Sequence, residues 1–284
     1  MTRRTGSLAG RRLLAIFAHP DDESLACGGT LAMCAAEGAR VSLLCATRGE
    51  AGRRSPGCSE GVCLGAVRRA ELHQAAHRLG IDDVILLDHP DGCLNGIDQA
   101  LFRHEIVLTL RHLRPDVVIT FGADGLYWHP DHIIVHERVT EAVDQLGASA
   151  PALLYTVFPE GLMRTVVETA QANPGAPPDV SLWTIDVDAF GAYAAEPTLV
   201  VDAVAYANQK VAALRCHRSQ IDAQSPFTWL TSEQAERLLG REFFVRATVG
   251  SSAPAFIERF ACTAGPSIAK PQDAAKESGL APPL

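Results

Sequence analysis

Short apolar runs alternate with longer stretches of helical periodicity through the first half of the chain. Leu13–Ala18, Val41–Ala46, Val84–Leu87 and Val117–Phe121 read as strands, and Leu153–Phe158 as a fifth. Between them, Ser24–Glu37, Leu64–Leu79, Asp98–Leu113 and Asp131–Leu146 read as helices, the first two stopped by Gly38 and Gly80. Strands that are apolar throughout are buried on both faces, as in a parallel sheet. The βα alternation therefore predicts an α/β fold: a Rossmann-like, mostly parallel sheet with helices on both faces.

Beyond residue 158 the pattern loosens. Residues 159–181 contain "NPGAPPD" and read as a Pro/Gly-rich loop. "SLWTIDVD" reads as a strand, Val204–His217 as a helix and Glu242–Ala247 as a final strand. The expectation is a single domain over residues 1–262, with a core at 12–158 and a smaller, irregular C-terminal portion at 159–262. The tail at 263–284 lacks aromatic and β-branched clusters and is expected to be disordered.

Four polar clusters follow the first four strands: "AHPDDE", "TRGEAGR", "DHPDG" and "GADGLYWHPDH". In an open α/β sheet, ligands bind beyond the carboxyl ends of the strands. All four clusters therefore share one rim, which favours a site over four unrelated loops. In the first, His19 and Asp22 are three residues apart, so a tight turn can aim both at one point. An imidazole and a carboxylate suit a divalent transition ion. Asp21 stands between them and can remain off the metal as a base. Helix capping accounts for one acid in a first turn, but it does not require the histidine. Glu23 fits the helix start or a supporting place beside the site. In "HPDH", Pro130 suits a first helical position and His132 can reach the same point. Two histidines, a carboxylate and an open position describe a catalytic zinc site.

"AHPDDE" followed by "HPDH" resembles the LmbE-like de-N-acetylase family. That family includes the N-acetylglucosaminyl-phosphatidylinositol de-N-acetylases (PIG-L), the deacetylases of mycothiol and bacillithiol synthesis and antibiotic-tailoring deacetylases. The likeness runs from about Arg12 to Gln220. It takes in Gly49-Glu50, "RRAEL" (Arg68 to Leu72) and "KVAALRCHRSQ" (Lys210 to Gln220). The resemblance implies zinc ligands at His19, Asp22 and His132, and Asp21 as general base. It implies that Tyr127 polarises the substrate carbonyl, and that His129, oriented by Asp131, stabilises the oxyanion or helps protonate the leaving amine. Arg68, Glu50 and Asp91 match positions near the sugar. The implied activity is hydrolysis of the N-acetyl group of an N-acetylglucosamine-type substrate. A larger sugar or thiol-conjugate amide is the alternative within the enzyme class, and a metal-dependent binding module the alternative outside it. The donor set accepts Fe2+ as well as Zn2+.

Composition narrows the partners. The 284 residues are 47% hydrophobic and 20% charged, with net charge -8. No basic stripe marks a nucleic-acid surface, and no apolar run reaches the roughly 18 residues of an integral membrane segment. A small-molecule substrate is expected, and a homo-oligomer stays open. A cleaved N-terminal signal would remove the first motif, so the expected compartment is the cytoplasm. The eight cysteines read as reduced, small apolar residues. Cys58 and Cys63 read as a Gly-rich loop with two thiols rather than half of a metal site. A dinucleotide-binding reading fails because no Gly-rich turn follows the first strand.

Overall fold

In the computed structural model, which describes residues 6–55, 61–183 and 185–263, the runs Leu13–Phe17, Val41–Thr47 and Val117–Phe121 are buried throughout. Along the chain come β1 (Arg12–Phe17), α1 (Asp22–Ala36), β2 (Arg40–Thr47), α2 (Leu64–Leu79), β3 (Asp83–His89), α3 (Gln99–Leu113), β4 (Val117–Phe121), α4 (Gly125–Trp128), α5 (Pro130–Asp144) and β5 (Ala152–Val157). Then follow α6 (Leu162–Gln171), β6 (Leu199–Asp202), α7 (Ala207–Leu214), α8 (Pro226–Trp229), α9 (Ser232–Leu239) and β7 (Arg241–Gly250).

The strands form one seven-stranded sheet in the order β3-β2-β1-β4-β5-β7-β6. The first five are parallel, and β7 runs antiparallel to both of its neighbours. Crossovers from β1 to β3 run one way across the sheet, and those from β3 to β5 run back. Right-handed connections then place α1 and α2 on one face and α3 and α5 on the other. The contacts agree, because α1, α2 and α7 pack together while α3 packs with α5. The direction of winding reverses between β1 and β4, and at such a switch point the loops diverge and leave a crevice.

The region after residue 158 is more regular than the pattern suggests. The stretch expected as a Pro/Gly-rich loop contains α6, and β6 and α9 also escape the sequence pattern. "SLWTIDVD" is not a strand: its described residues are irregular and lead into a 3-10 turn at Val187–Ala189. Leu182 is buried there, and Trp183 has φ 47°, outside the extended region. The helix expected over Val204–His217 is a 3-10 turn followed by α7. Cys58, and all but the first residue of the 263–284 tail, lie outside the described residues. Among the described residues the cysteines are free, and Cys27, Cys34, Cys45 and Cys216 are buried. No helix among the described residues is long and apolar enough to cross a membrane.

Helix α1 is broken. Cys27 leaves helical geometry (φ -148°, ψ 22°), which frees amides inside the helix. Glu242, from β7, accepts the N–H groups of Gly29 (2.9 Å) and Thr30 (2.7 Å) and is paired with the buried Lys210 at 2.7 Å. The approach requires glycine: a Cβ on Gly29 would lie 2.9 Å from the Cβ of Ala203 and 3.1 Å from Glu242 Oε1.

Candidate active site

The loops at the switch point bring both His-Pro-Asp motifs together. His19 follows β1, Asp22 opens α1, and His132 lies in the first turn of α5, which starts at Pro130 with His129 as its N-cap. His19 Nδ1 is 3.1 Å from His132 Nε2. Asp22 closes the triangle, with Oδ2 3.4 Å from His19 Nδ1 and Oδ1 3.3 Å from His132 Nε2. All three side chains are buried.

Hydrogen bonds at the far side of each ring fix the tautomers. His132 donates from Nδ1 to the carbonyl of Gly125 at 3.0 Å, leaving a lone pair on Nε2. Its ring stacks on Phe121, with centroids 4.0 Å apart. His19 donates from Nε2 to the carboxylates of Asp91 (3.0 Å) and Asp131 (3.2 Å), leaving a lone pair on Nδ1. With both imidazoles neutral, two nitrogen lone pairs and a carboxylate converge, and either a proton on His19 Nδ1 or a metal cation can fill the space between them. Tetrahedral coordination with bonds of about 2.0–2.1 Å puts neighbouring donors roughly 3.3 Å apart, close to the 3.1 Å between the two imidazole nitrogens, while Asp22 meets the two rings with different oxygens. The donor set therefore fits a divalent ion. His129 also comes within reach of His19 and His132, and Asp91 with Asp131 forms a second group around His19.

The charges show the same demand for a cation. Burial opposes charge on His19, but hydrogen bonds to Asp131, Asp22 and Asp91 outweigh it and raise its pKa well above the imidazole range. Burial would raise Asp22, but the two imidazoles hold it well below the usual carboxylate range.

Asp21 occupies the turn at φ 116°, a strained conformation for a residue with a side chain. Burial pushes its carboxyl up to about 6, against the pull of Arg68 and with Asp22 adding to the rise. The Arg68 guanidinium donates to Asp21 Oδ2 (3.1 Å), to the carbonyl of Pro20 (2.5 Å) and to that of Gly49 (3.0 Å). It lines the cavity as the partner of Asp21.

Three of the residues expected near the substrate or His129 serve differently placed contacts. Asp131 does not orient His129 with its side chain: its carboxylate meets His19 and accepts the N–H groups of Gly92 and Leu94 (2.8 and 3.0 Å). The Asp131 backbone N–H reaches His129 Nδ1 at 3.2 Å instead. Asp91 lines the cavity but touches His19, and its Oδ2 accepts the Ala51 N–H at 2.8 Å. Glu50 is exposed and stands outside the cavity wall, accepting the Asp91 N–H at 3.0 Å.

Tyr127 and His129 form one side of the cavity, which encloses about 260 Å³. Burial, then Asp22 and Asp21, raise the Tyr127 phenol well above its ordinary value, so it stays protonated. Burial, with His132 and His19, lowers His129 to about 4. The lining also includes Arg53, Trp183, Ile185 and Gln220, none of which the spacing of motifs singles out. His217, buried behind the site, places Nε2 3.4 Å from Glu23 Oε1. His217 and Gln220 both fall within "KVAALRCHRSQ", which was their only signal in the sequence.

Residues 14–143 match the family model described as PIG-L, GlcNAc-PI de-N-acetylase. The chain is 32% identical over 257 residues to the 1D-myo-inositol 2-acetamido-2-deoxy-alpha-D-glucopyranoside deacetylase of Acidothermus cellulolyticus, covering 83% of this chain and 88% of the relative. The N,N'-diacetylchitobiose deacetylase of Pyrococcus horikoshii is similar in structure, with TM-score 0.59 at 22% identity and 84% of each chain covered. So is the 4-carboxy-2-hydroxymuconate hydratase of Pseudomonas putida, with TM-score 0.59 at 18% identity, covering 86% of this chain and 99% of the other. At these identities structural likeness establishes the fold alone, and one fold here serves two reactions.

Proposed function

The chain belongs to the GlcNAc-PI de-N-acetylase family, and on that premise we propose that it hydrolyses the acetamide of an N-acetylglucosamine-type glycoside. The products are acetate and a free amino sugar. The observation that carries this reading is the cluster of His19, Asp22 and His132 with Asp21 beside it, of which His19, Asp21 and Asp22 line a cavity. His19, Asp22 and His132 would hold Zn2+, and Fe2+ suits the same donors. A bound divalent ion supplies Lewis acidity toward the acetyl carbonyl and acidifies water.

The remaining chemistry falls to side chains. Asp21 takes the proton of the attacking water, which its pKa of about 6 suits at neutral pH. Tyr127, held as a phenol, donates to the carbonyl oxygen as charge develops there. His129 accepts the Asp131 N–H at Nδ1, so its hydrogen is on Nε2. With a pKa of about 4 it is neutral, and it serves as a hydrogen-bond donor to the oxyanion. Protonated Asp21 then delivers its proton to the departing amine. A cytoplasmic setting belongs to the same reading.

The test is acetate release from N-acetylglucosamine glycosides before and after chelation, with Zn2+ and Fe2+ restored separately. Turnover indifferent to the chelator would remove the metal from the reading. Asp21→Asn should retain metal and lose roughly 2–4 orders of magnitude in rate; a fully active variant would exclude Asp21 as the base.

A further inference from the structure

We propose that Trp128 and Tyr193 form a stacking platform at the mouth of the cavity, which takes the flat apolar face of the group attached to the N-acetylated sugar. The inference rests on the sugar-deacetylase reading of the site.

The backbone gives the first reason. Trp128 has φ 67°, a conformation that glycine adopts freely and a bulky residue does not. Burial does not compensate, because 50% of Trp128 stays exposed. Its neighbour Tyr193 is 78% exposed, and the two rings meet edge to face with centroids 5.9 Å apart. An aromatic pair held in a strained turn and left to solvent has no role in the core. Strain of this kind persists where surrounding structure holds it, and it clusters at active sites and ligand clamps.

The pair is fixed to the site. Trp128 lies between Tyr127 and His129, both on the cavity wall. Phe190 is fully buried and packs on Tyr127 at 4.8 Å, and three residues later Tyr193 meets Trp128. Gly191 makes the turn between them at φ 78°, where a Cβ would lie 2.2 Å from the carbonyl oxygen of Phe158. The loop is thus registered against α4 by two aromatic contacts, one inside and one outside.

Size and charge identify the occupant. A cavity of about 260 Å³ falls below the range for drug-sized ligands, about 300–1,000 Å³, and has room for one sugar ring with its acetamide. Whatever the sugar carries must leave across the rim. The arginines that line the cavity are already paired, Arg53 with Asp222 at 2.9 Å and Arg68 with Asp21 at 3.1 Å, which disfavours a phosphate-bearing group. Indole and phenol rings instead take a flat apolar surface in a half-wet setting.

The experiment compares kcat/KM for the phenyl and methyl glycosides of N-acetylglucosamine in the wild type, Trp128→Gly and Tyr193→Ala. Glycine suits the backbone at residue 128, and Tyr193 is an exposed side chain, so both variants should fold. The phenyl-to-methyl ratio should fall roughly three- to tenfold in each, through KM for the phenyl glycoside. A ratio unmoved in Trp128→Gly, with both glycosides deacetylated, overturns the platform alone. Failure of the wild type to deacetylate either glycoside overturns the reading of the site and the platform with it.

Discussion

Glu23 accepts the backbone N–H of Asp21 at 3.1 Å and so holds the strained turn from which Asp21 faces the cavity. Glu23 is itself fully buried, with Ser24 donating to it at 2.6 Å and His217 3.4 Å away. The third acid of "AHPDDE" is therefore a positioning residue. Glu23→Ala should lower kcat about 10–100-fold with little change in KM, since small misplacement of a reacting group has that scale. Glu23→Gln keeps an acceptor for the Asp21 N–H and should recover part of the rate. Steady-state kinetics with metal analysis checks this: equal losses in both variants, or loss of metal, would show that the brace is not the cause.

Arg68 sets the working pH of Asp21. It opposes the burial that raises the carboxyl to about 6, and a bound cation lowers it further. Only the carboxylate accepts a proton, so activity should rise with pH along an acid limb at or below about 6. Arg68→Met should move that limb upward by about one to three pH units, the usual influence of a neighbouring opposite charge. The pH dependence of kcat/KM measures it, and a limb that stays in place or moves down would contradict the assignment.

Asp131 lies one shell behind the proposed metal and acts through His19 Nε2. Asp131→Ala should weaken metal affinity about 10–100-fold. Competition with a chromogenic chelator gives the constant, and wild-type affinity would mean that Asp91 alone suffices to hold His19.

The Lys210–Glu242 pair links the sheet to the break in α1. Removing one member leaves a buried charge and, for Glu242, two amides without their acceptor. Glu242→Ala should cost about 3–5 kcal/mol of stability, read from urea unfolding. A loss below about 1 kcal/mol, within the range of an exposed ion pair, would show that water replaces the carboxylate.

The parallel half of the fold was legible because its strands are continuous apolar runs and its helices carry clear stops, as at Leu79-Gly80. The two His-Pro-Asp motifs were legible as a site because both follow strands that meet at the switch point. Three kinds of feature were not. β6 spans only Leu199–Asp202, too short for periodicity to register. α6 contains β-branched residues and neighbours a Pro/Gly-rich stretch, so local composition hid it. The positions of Glu50 and Asp131 depend on which backbone amide each meets in space, and residue spacing carries no information about that. "SLWTIDVD" misled because Leu182 is buried in irregular structure and the half-buried Trp183 and Ile185 line the cavity, where no strand pairing is involved.

The place of β7 has a consequence for how the protein is made. This strand fills the gap between β5 and β6, and it brings the acceptor for the amides at Gly29 and Thr30. A nascent chain translated only as far as Gly240 already contains every proposed metal ligand. Yet β5 still has an open edge, β6 has no partner, and the helix that presents Asp22 is unfastened at its break. Such a chain exposes unpaired strand edge to its neighbours, so the interval between synthesis of the site and arrival of β7 is one in which edge-to-edge association competes with folding.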